Sequence, residues 1–287
     1  LVKLDLTRPV RLVKDENERK ILKRRIEKTV TYRIMYRANT LKVTGFLVFP
    51  KRGKKLPCII SLRGGSRDFG AINEETIVNR LCRYAERGYV VIATQYPGVD
   101  GGEGTDTWGG PDDMQCIKAL KAILGWCPQA DTSLVGVRGH SRGGLMAYML
   151  LREVKWLKAA VIGGAPTDEF RAGRERKGWR KHQISLYGPT RKELLKRSPI
   201  KWAYELPKKV PILLAHGSSD WRVPADHSIL MSAQLYTHRI PHRLIIFEGA
   251  DHRITEYKEE YFEQSLQWFE RFLRKKRKLP NLKLHGR

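Results

Sequence analysis

The feature that most restricts the fold is the run Ser133-Leu134-Val135-Gly136-Val137-Arg138-Gly139-His140-Ser141-Arg142-Gly143-Gly144, with the apolar stretch 145–151 directly after it. A β-rich run, a Gly-x-Ser-x-Gly turn and a helix-like run in succession predict a strand, a sharp turn and a helix. A serine held at an unusual φ/ψ in such a turn crowds its neighbours. Positions two before and two after it must then lack a Cβ, and both, Gly139 and Gly143, are glycine. The turn lifts the hydroxyl off the backbone. It also sets a helix N-terminus beneath the serine, where N–H groups and the helix dipole favour a developing oxyanion. Ser141 is the candidate nucleophile.

The remaining pattern agrees with a strand–turn–helix embedded in a larger sheet. Residues 1–28 form a basic N-terminal extension, read as helical over 14–27 and docked on the surface through Ile21, Leu22 and Ile26. Residues 29–36 and 41–49 alternate in polarity around Arg37-Ala38-Asn39-Thr40 and predict an antiparallel hairpin. Continuous apolar strands follow at 58–62, 89–94, 133–137, 159–162, 210–215 and 243–247. Helical stretches lie between them at 73–87, 112–124, about 224–238 and 256–274. The last of these should bury Tyr261, Phe262, Leu266, Trp268, Phe269 and Leu273.

Strands alternating with helices predict an α/β fold, a mainly parallel sheet covered on both faces with an antiparallel hairpin at one edge. Residues 165–207 break the rhythm with basic, Trp- and Pro-containing sequence and read as an insertion, helical in pieces, and a candidate lid. One domain over 29–275 and a basic tail over 276–287 complete the organisation.

A serine hydroxyl is a poor nucleophile until a base takes its proton, and the base needs an orienting acid. In parallel α/β sheets such groups gather at the carboxyl ends of strands. Two loops after Ser141 qualify: His216-Gly217-Ser218-Ser219-Asp220-Trp221-Arg222-Val223-Pro224, and Glu248-Gly249-Ala250-Asp251-His252. The order Ser141, Asp220, His252 matches the Ser…Asp…His order of the fold that carries the Gly-x-Ser-x-Gly turn.

Competing residues read differently. Asp226 should face outward in the first turn of its helix, and Asp251, next to His252, should point elsewhere. His216 should shape the acid loop through hydrogen bonds, and His140 should turn away from Ser141. His182, His227, His238, His242 and His285 fall on expected surface segments. The oxyanion needs two donors. The backbone N–H of Arg142 is one, and Gly64, in the glycine turn after strand 58–62, is the other.

No cofactor is expected. The Gly98-to-Gly110 loop lacks phosphate-binding spacings and carries Asp100, Glu103 and Asp106, which would repel phosphate. Asp68-Phe69-Gly70 mimics a kinase triplet without the other kinase motifs. Cys58, Cys82, Cys116 and Cys127 lack metal-ligand spacing, so buried reduced thiols and a cytoplasmic location are expected. No apolar run approaches the roughly 20 residues needed to span a bilayer.

The formal charge of +25 raises a second class of function, binding to nucleic acid or an anionic surface through the basic segments 14–28, 171–181 and 271–278. These segments hold no recognisable stacking, RRM, KH or zinc pattern, so no specific nucleic-acid partner is expected. A charge run of this kind is ordinarily a solvated face.

Taken together, Arg63-Gly64-Gly65, the loop from Tyr96-Pro97-Gly98 to Gly104, Trp108-Gly109-Gly110-Pro111-Asp112-Asp113, the Ser141 turn, Arg197-Ser198-Pro199, the His216-to-Pro224 segment and Asp251-His252 stand in a familiar order. The chain resembles the catalytic domain of the prolyl oligopeptidase family, an α/β-hydrolase, from about Val43 to Leu273. That resemblance implies Ser141 as nucleophile, Asp220 as acid and His252 as base. It implies a serine hydrolase that cleaves peptide or amide bonds in a small peptide substrate through an acyl-enzyme, with a carboxylesterase acting on an ester as the alternative.

Two departures bear on specificity. The ~50 residues ahead of the core are too few for the β-propeller that filters peptides in such enzymes. Arg63 stands where many members carry a His or a Tyr, so a tyrosine hydroxyl cannot serve the oxyanion there.

Overall fold

In the computed structural model, which describes residues 1–286, the chain divides into two compact units, Leu1–Val135 and Gly136–Arg287. The first begins with β1 (Val2–Lys3), α1 (Thr7–Arg11) and α2 (Glu16–Lys28). Asp15 caps α2 by accepting from the Glu18 N–H at 2.7 Å, and acids in the first turn with bases in the last suit the helix dipole. The buried face differs from the expected one. Leu22 is buried, Ile26 is half-buried and Ile21 is 57 % exposed. Arg25 takes the inner position, donating through Nε to Glu86 at 2.9 Å and through Nη1 to the Val78 carbonyl at 3.3 Å. Its aliphatic stem covers apolar surface while its head is paired, a combination that apolar periodicity does not register.

β2 (Thr29–Ala38) and β3 (Leu41–Pro50) form the expected hairpin, in register from Thr29↔Pro50 to Ala38↔Leu41. The turn is tighter than expected, with Asn39 in the left-handed region. β1 pairs antiparallel with β2, and β3 pairs antiparallel with β5 (Val90–Thr94). β5 in turn pairs parallel with β4 (Leu56–Leu62). Both β4 and β5 are buried nearly throughout, as their unbroken apolar sequences require.

The helix expected at 73–87 is segmented into α3 (Glu74–Thr76), a π-helical turn (Ile77–Leu81) and α4 (Cys82–Ala85). α5 (Pro111–Leu124) opens on a proline, and one carboxylate oxygen of Asp113 gathers the N–H groups of Thr107, Gly109 and Gly110 at 3.0–3.1 Å. The acidic residues of the preceding loop are spent on the chain itself. Asp100 pairs with Arg33, Glu103 accepts from the Lys42 N–H, and Asp106 accepts from the Arg67 N–H.

β6 (Ala130–His140) leads into the second unit, which continues with α6 (Arg142–Glu153) and β7 (Leu157–Gly163). β7, β8 (Ile212–Gly217) and β9 (His242–Phe247) pair in parallel, so the carboxyl ends of β8 and β9 lie side by side at Gly217↔Phe247. Between β7 and β8 the expected insertion is helical in pieces: α7 (Glu169–Glu175), α8 (Trp179–Tyr187), α9 (Arg191–Lys196) and two 3₁₀ turns, Pro199–Lys201 and Ala203–Glu205.

Two of those pieces, α7 and α8, meet at one carboxylate. Glu169 is fully buried, and its Oε2 accepts from Gln183 Nε2 at 2.6 Å, the Tyr187 hydroxyl at 3.0 Å and Trp179 Nε1 at 3.2 Å. Burial pushes this carboxyl above its ordinary range, and the three donors partly offset it.

α10 (Asp226–Thr237) and α11 (Lys258–Phe269) complete the unit, with a further π-helical turn at Glu270–Arg274. α11 and that turn bury Tyr261, Phe262, Trp268, Phe269 and Leu273 as the periodicity predicts, and Leu266 is half-buried. Beyond them the tail is mostly exposed, and Arg239 donates to the Leu282 carbonyl at 3.1 Å. Arg287, the last residue of the expected tail, lies outside the described residues.

Candidate active site

Ser141 sits between β6 and α6 with φ 57° and ψ −127°, a conformation strained for any residue with a side chain. Its N–H donates to the Gly163 carbonyl at 2.8 Å, which ties the turn to the end of β7. The strain is sustained by close backbone packing. A Cβ on Gly139 would stand 2.0 Å from the Gly143 carbonyl oxygen, and one on Gly144 would stand 2.6 Å from the Ala165 Cβ. Arg142 opens α6, which places its backbone N–H at the positive end of the helix.

The loop after β8 holds Asp220 with no side-chain exposure. Its Oδ1 accepts the N–H groups of Arg222 at 2.8 Å and Val223 at 3.0 Å. Its Oδ2 receives His252 Nδ1 at 2.7 Å and His216 Nε2 at 3.1 Å. Burial alone would raise the Asp220 pKa, but the hydrogen bonds from His216 and His252 outweigh it and hold the carboxyl far below the usual range.

His252 lies after β9, in a turn joined to the acid loop by Ser218 N–H to the Phe247 carbonyl at 2.9 Å and by Gly249 N–H to Ser218 Oγ at 2.8 Å. With Nδ1–H donated to Asp220, the hydrogen-bond network assigns the lone pair to Nε2. Its neighbour Asp251 is occupied elsewhere, accepting from the N–H groups of Arg253 and Thr255 and from the Thr255 hydroxyl at 2.8–3.0 Å.

The structure therefore joins Asp220 and His252 directly. It brings Ser141 to the same region through His140, whose Nε2 donates to the His252 carbonyl at 2.6 Å and whose ring lies edge-on to that of His252 at 5.2 Å. Among the described residues no hydrogen bond links Ser141 to His252 itself.

His216 shapes the acid loop through hydrogen bonds as its position predicted, and its partners are what sequence could not supply. His216 is fully buried, with Nε2–H shared between Asp220 and the Val223 carbonyl (2.8 Å) and Nδ1 at 2.7 Å from the Ser228 hydroxyl. The surface assignment fails for His227, which is 2 % exposed with Nδ1 accepting the Thr167 N–H at 3.0 Å. It fails in part for His242, half-buried against Ser232. Asp226 is 38 % exposed and pairs with Arg171 of α7.

Gly64, the other expected donor, belongs to the first unit. The loop that contains it is shaped by Arg63, only 6 % exposed, whose guanidinium donates to the carbonyls of Gln95 (2.8 Å), Gly64 (3.2 Å), Arg67 (2.7 Å) and Phe69 (3.2 Å). Arg63 thus braces the turn from within.

All four cysteines are buried and unpaired by disulfide. Burial pushes the Cys58 and Cys116 thiols up to about 12. Among the described residues no group of His, Cys, Asp and Glu is placed to hold a metal ion, and no helix is long and apolar enough to cross a membrane.

Comparison with known proteins bears on this geometry. Residues 77–276 match the model of the prolyl oligopeptidase family. The peptidase YtmA of Bacillus subtilis is 28 % identical over 207 residues, covering 71 % of this chain and 79 % of that protein. The dipeptidyl-peptidase 5 of Aspergillus oryzae is 21 % identical over 262 residues, 83 % of this chain but 34 % of that protein.

Among solved structures, the acylaminoacyl peptidase of Pyrococcus horikoshii superimposes with a TM-score of 0.78 at 21 % identity, over 93 % of this chain and 45 % of that one. A puromycin-hydrolyzing peptidase of Mycobacterium tuberculosis gives 0.74 at 21 % identity, over 85 % and 39 %. The chain thus spans less than half the length of the last three. The structural likeness identifies the α/β-hydrolase fold.

Proposed function

The chain belongs to the prolyl oligopeptidase family and is a serine hydrolase, and we propose that it cleaves peptide or amide bonds through an acyl-enzyme on Ser141. The observation that carries this reading is the 2.7 Å contact of His252 Nδ1 with an Asp220 carboxylate held ionised in the interior. A fixed anion on Nδ1 orients the imidazole and stabilises the cation formed when Nε2 takes a proton.

In the proposed sequence His252 Nε2 removes the Ser141 hydroxyl proton as Oγ attacks the substrate carbonyl. The Arg142 N–H receives the developing oxyanion. Collapse breaks the C–N bond, and His252 returns the proton to the departing amine. Water, deprotonated by the same nitrogen, then opens the ester on Ser141 and releases the acid. The insertion 165–207 serves as the lid over this chemistry, and the four buried free thiols support a cytoplasmic setting.

The test is a panel of aminoacyl p-nitroanilides and short-chain acyl p-nitrophenyl esters with wild type and Ser141→Ala. Turnover of at least one anilide, reduced by a factor of about 10³ or more in the variant, is expected. Turnover of esters alone would replace the peptidase with an esterase, and wild-type inertness toward both classes would remove the reading.

A further inference from the structure

The residue after Asp220 is an exposed tryptophan between two arginines. Trp221 is 69 % exposed. The Arg222 guanidinium lies 5.0 Å from its ring centroid, and the Arg176 guanidinium, from the end of α7, lies 5.9 Å from the same centroid. Arg176 also covers the Trp179 ring at 4.6 Å. The patch is fixed to the catalytic loop, because the Arg222 N–H is one of the groups that hold Asp220 Oδ1.

Only some of the insertion's arginines are ion-paired. Arg171 is paired with Glu175 and Asp226, and Arg197 with Glu193. Arg176 has no ion pair with any described residue. Partial burial and then the like charge of Arg222 both pull its guanidinium below its ordinary pKa. The carboxylates of Asp220 and Glu169 offset this only in part, and neither is ion-paired with Arg176, so a half-buried cation beside a second cation and backed by two indoles is suited to receive an anion. Guanidinium groups bind planar carboxylates through paired hydrogen bonds, and the indole faces keep water from the contact.

We propose that Arg176, with Trp221 and Arg222, is a specificity site for a substrate carboxylate, so that this hydrolase prefers acidic peptides. The proposal rests on the hydrolase reading of Ser141. The carboxylate is supplied by an acidic side chain or by the peptide's own C-terminus.

Steady-state kinetics on the full chain separate these cases. Two substrate pairs are compared, glutamyl against glutaminyl p-nitroanilides and a free C-terminal carboxylate against its carboxamide. Wild type, Arg176→Gln and Arg176→Lys are measured alongside fluorophosphonate labelling of Ser141 in the same preparations. Wild type is expected to favour the acidic member of at least one pair by roughly tenfold in kcat/KM, through KM, the size of one charge-assisted interaction. The pair that responds names the source of the carboxylate. The ratio should collapse in Arg176→Gln and persist in part in Arg176→Lys.

Equal kcat/KM for both members of both pairs, with Ser141 still labelled, would overturn this proposal alone. So would an Arg176→Gln variant that slows acidic and neutral members equally while lowering Tm, since that marks a brace for α7. Absence of labelling would instead strike the hydrolase reading beneath it.

Discussion

His252 and Asp220 meet through one carboxylate oxygen, His252 Nδ1 to Asp220 Oδ2 at 2.7 Å, and the same oxygen receives His216 Nε2 at 3.1 Å. The acid is thus held from both sides by imidazoles, and from behind by the N–H groups of Arg222 and Val223. Its orientation is fixed by four hydrogen bonds.

Asp220→Asn should keep the fold and lose the tautomer. A decrease in kcat of about 10³–10⁴ with an unchanged circular dichroism spectrum is expected. His216→Asn removes only one of the four contacts on the carboxylate. It should cost less than Asp220→Asn and act on kcat rather than KM, which the same assay resolves.

The depressed Asp220 pKa also bears on stability. A carboxylate whose folded-state pKa lies below its unfolded value contributes stability fully above the unfolded value, near 3.9, and loses it as pH falls through the folded one. The wild type should therefore lose stability toward Asp220→Asn between about pH 4 and lower pH. Urea unfolding of both proteins at pH 7 and pH 3 should show the gap narrowing, and a constant gap would refute the linkage.

Gly139→Ala should be severe. Its Cβ would stand 2.0 Å from the Gly143 carbonyl oxygen and 2.2 Å from the carbon behind it, so backbone on both sides of Ser141 must move. A loss of about 3 kcal/mol or more, or failure to fold, is expected from overpacking at a strained turn. A thermal melt within a few degrees of wild type would contradict the packing described for the turn.

The four cysteines should be silent. All are buried, and burial holds each thiol above its ordinary pKa. Ellman's reagent should find essentially no reactive thiol in the native protein and all four after denaturation in guanidinium.

Most of the sheet was legible because its strands are continuous apolar runs bounded by glycine and proline, which leave little choice of element. The Ser141 turn was legible because Gly139 is required by a backbone contact that no side chain permits. The order of Asp220 and His252 followed from strand ends, and parallel β8 and β9 deliver those ends side by side. What sequence could not supply is partner choice across long separations. The burial of Arg25 on Glu86, of His227 against Thr167 and of Glu169 under three donors each depends on residues distant in the chain. The helical stretch at 73–87 reads as uninterrupted, yet the backbone widens to a π-helical turn at Ile77–Leu81, whose apolar residues satisfy either register. The Arg176–Trp221 contact joins an insertion to the acid loop and carries no periodicity at all.

The central claim is that Ser141 is the nucleophile. Incubation with a fluorophosphonate followed by peptide mass spectrometry tests it most directly. The account predicts one adduct per chain, located on Ser141, slowed strongly in His252→Ala and absent in Ser141→Ala. An unlabelled wild type, or a Ser141→Ala protein labelled to the same extent elsewhere, would contradict it.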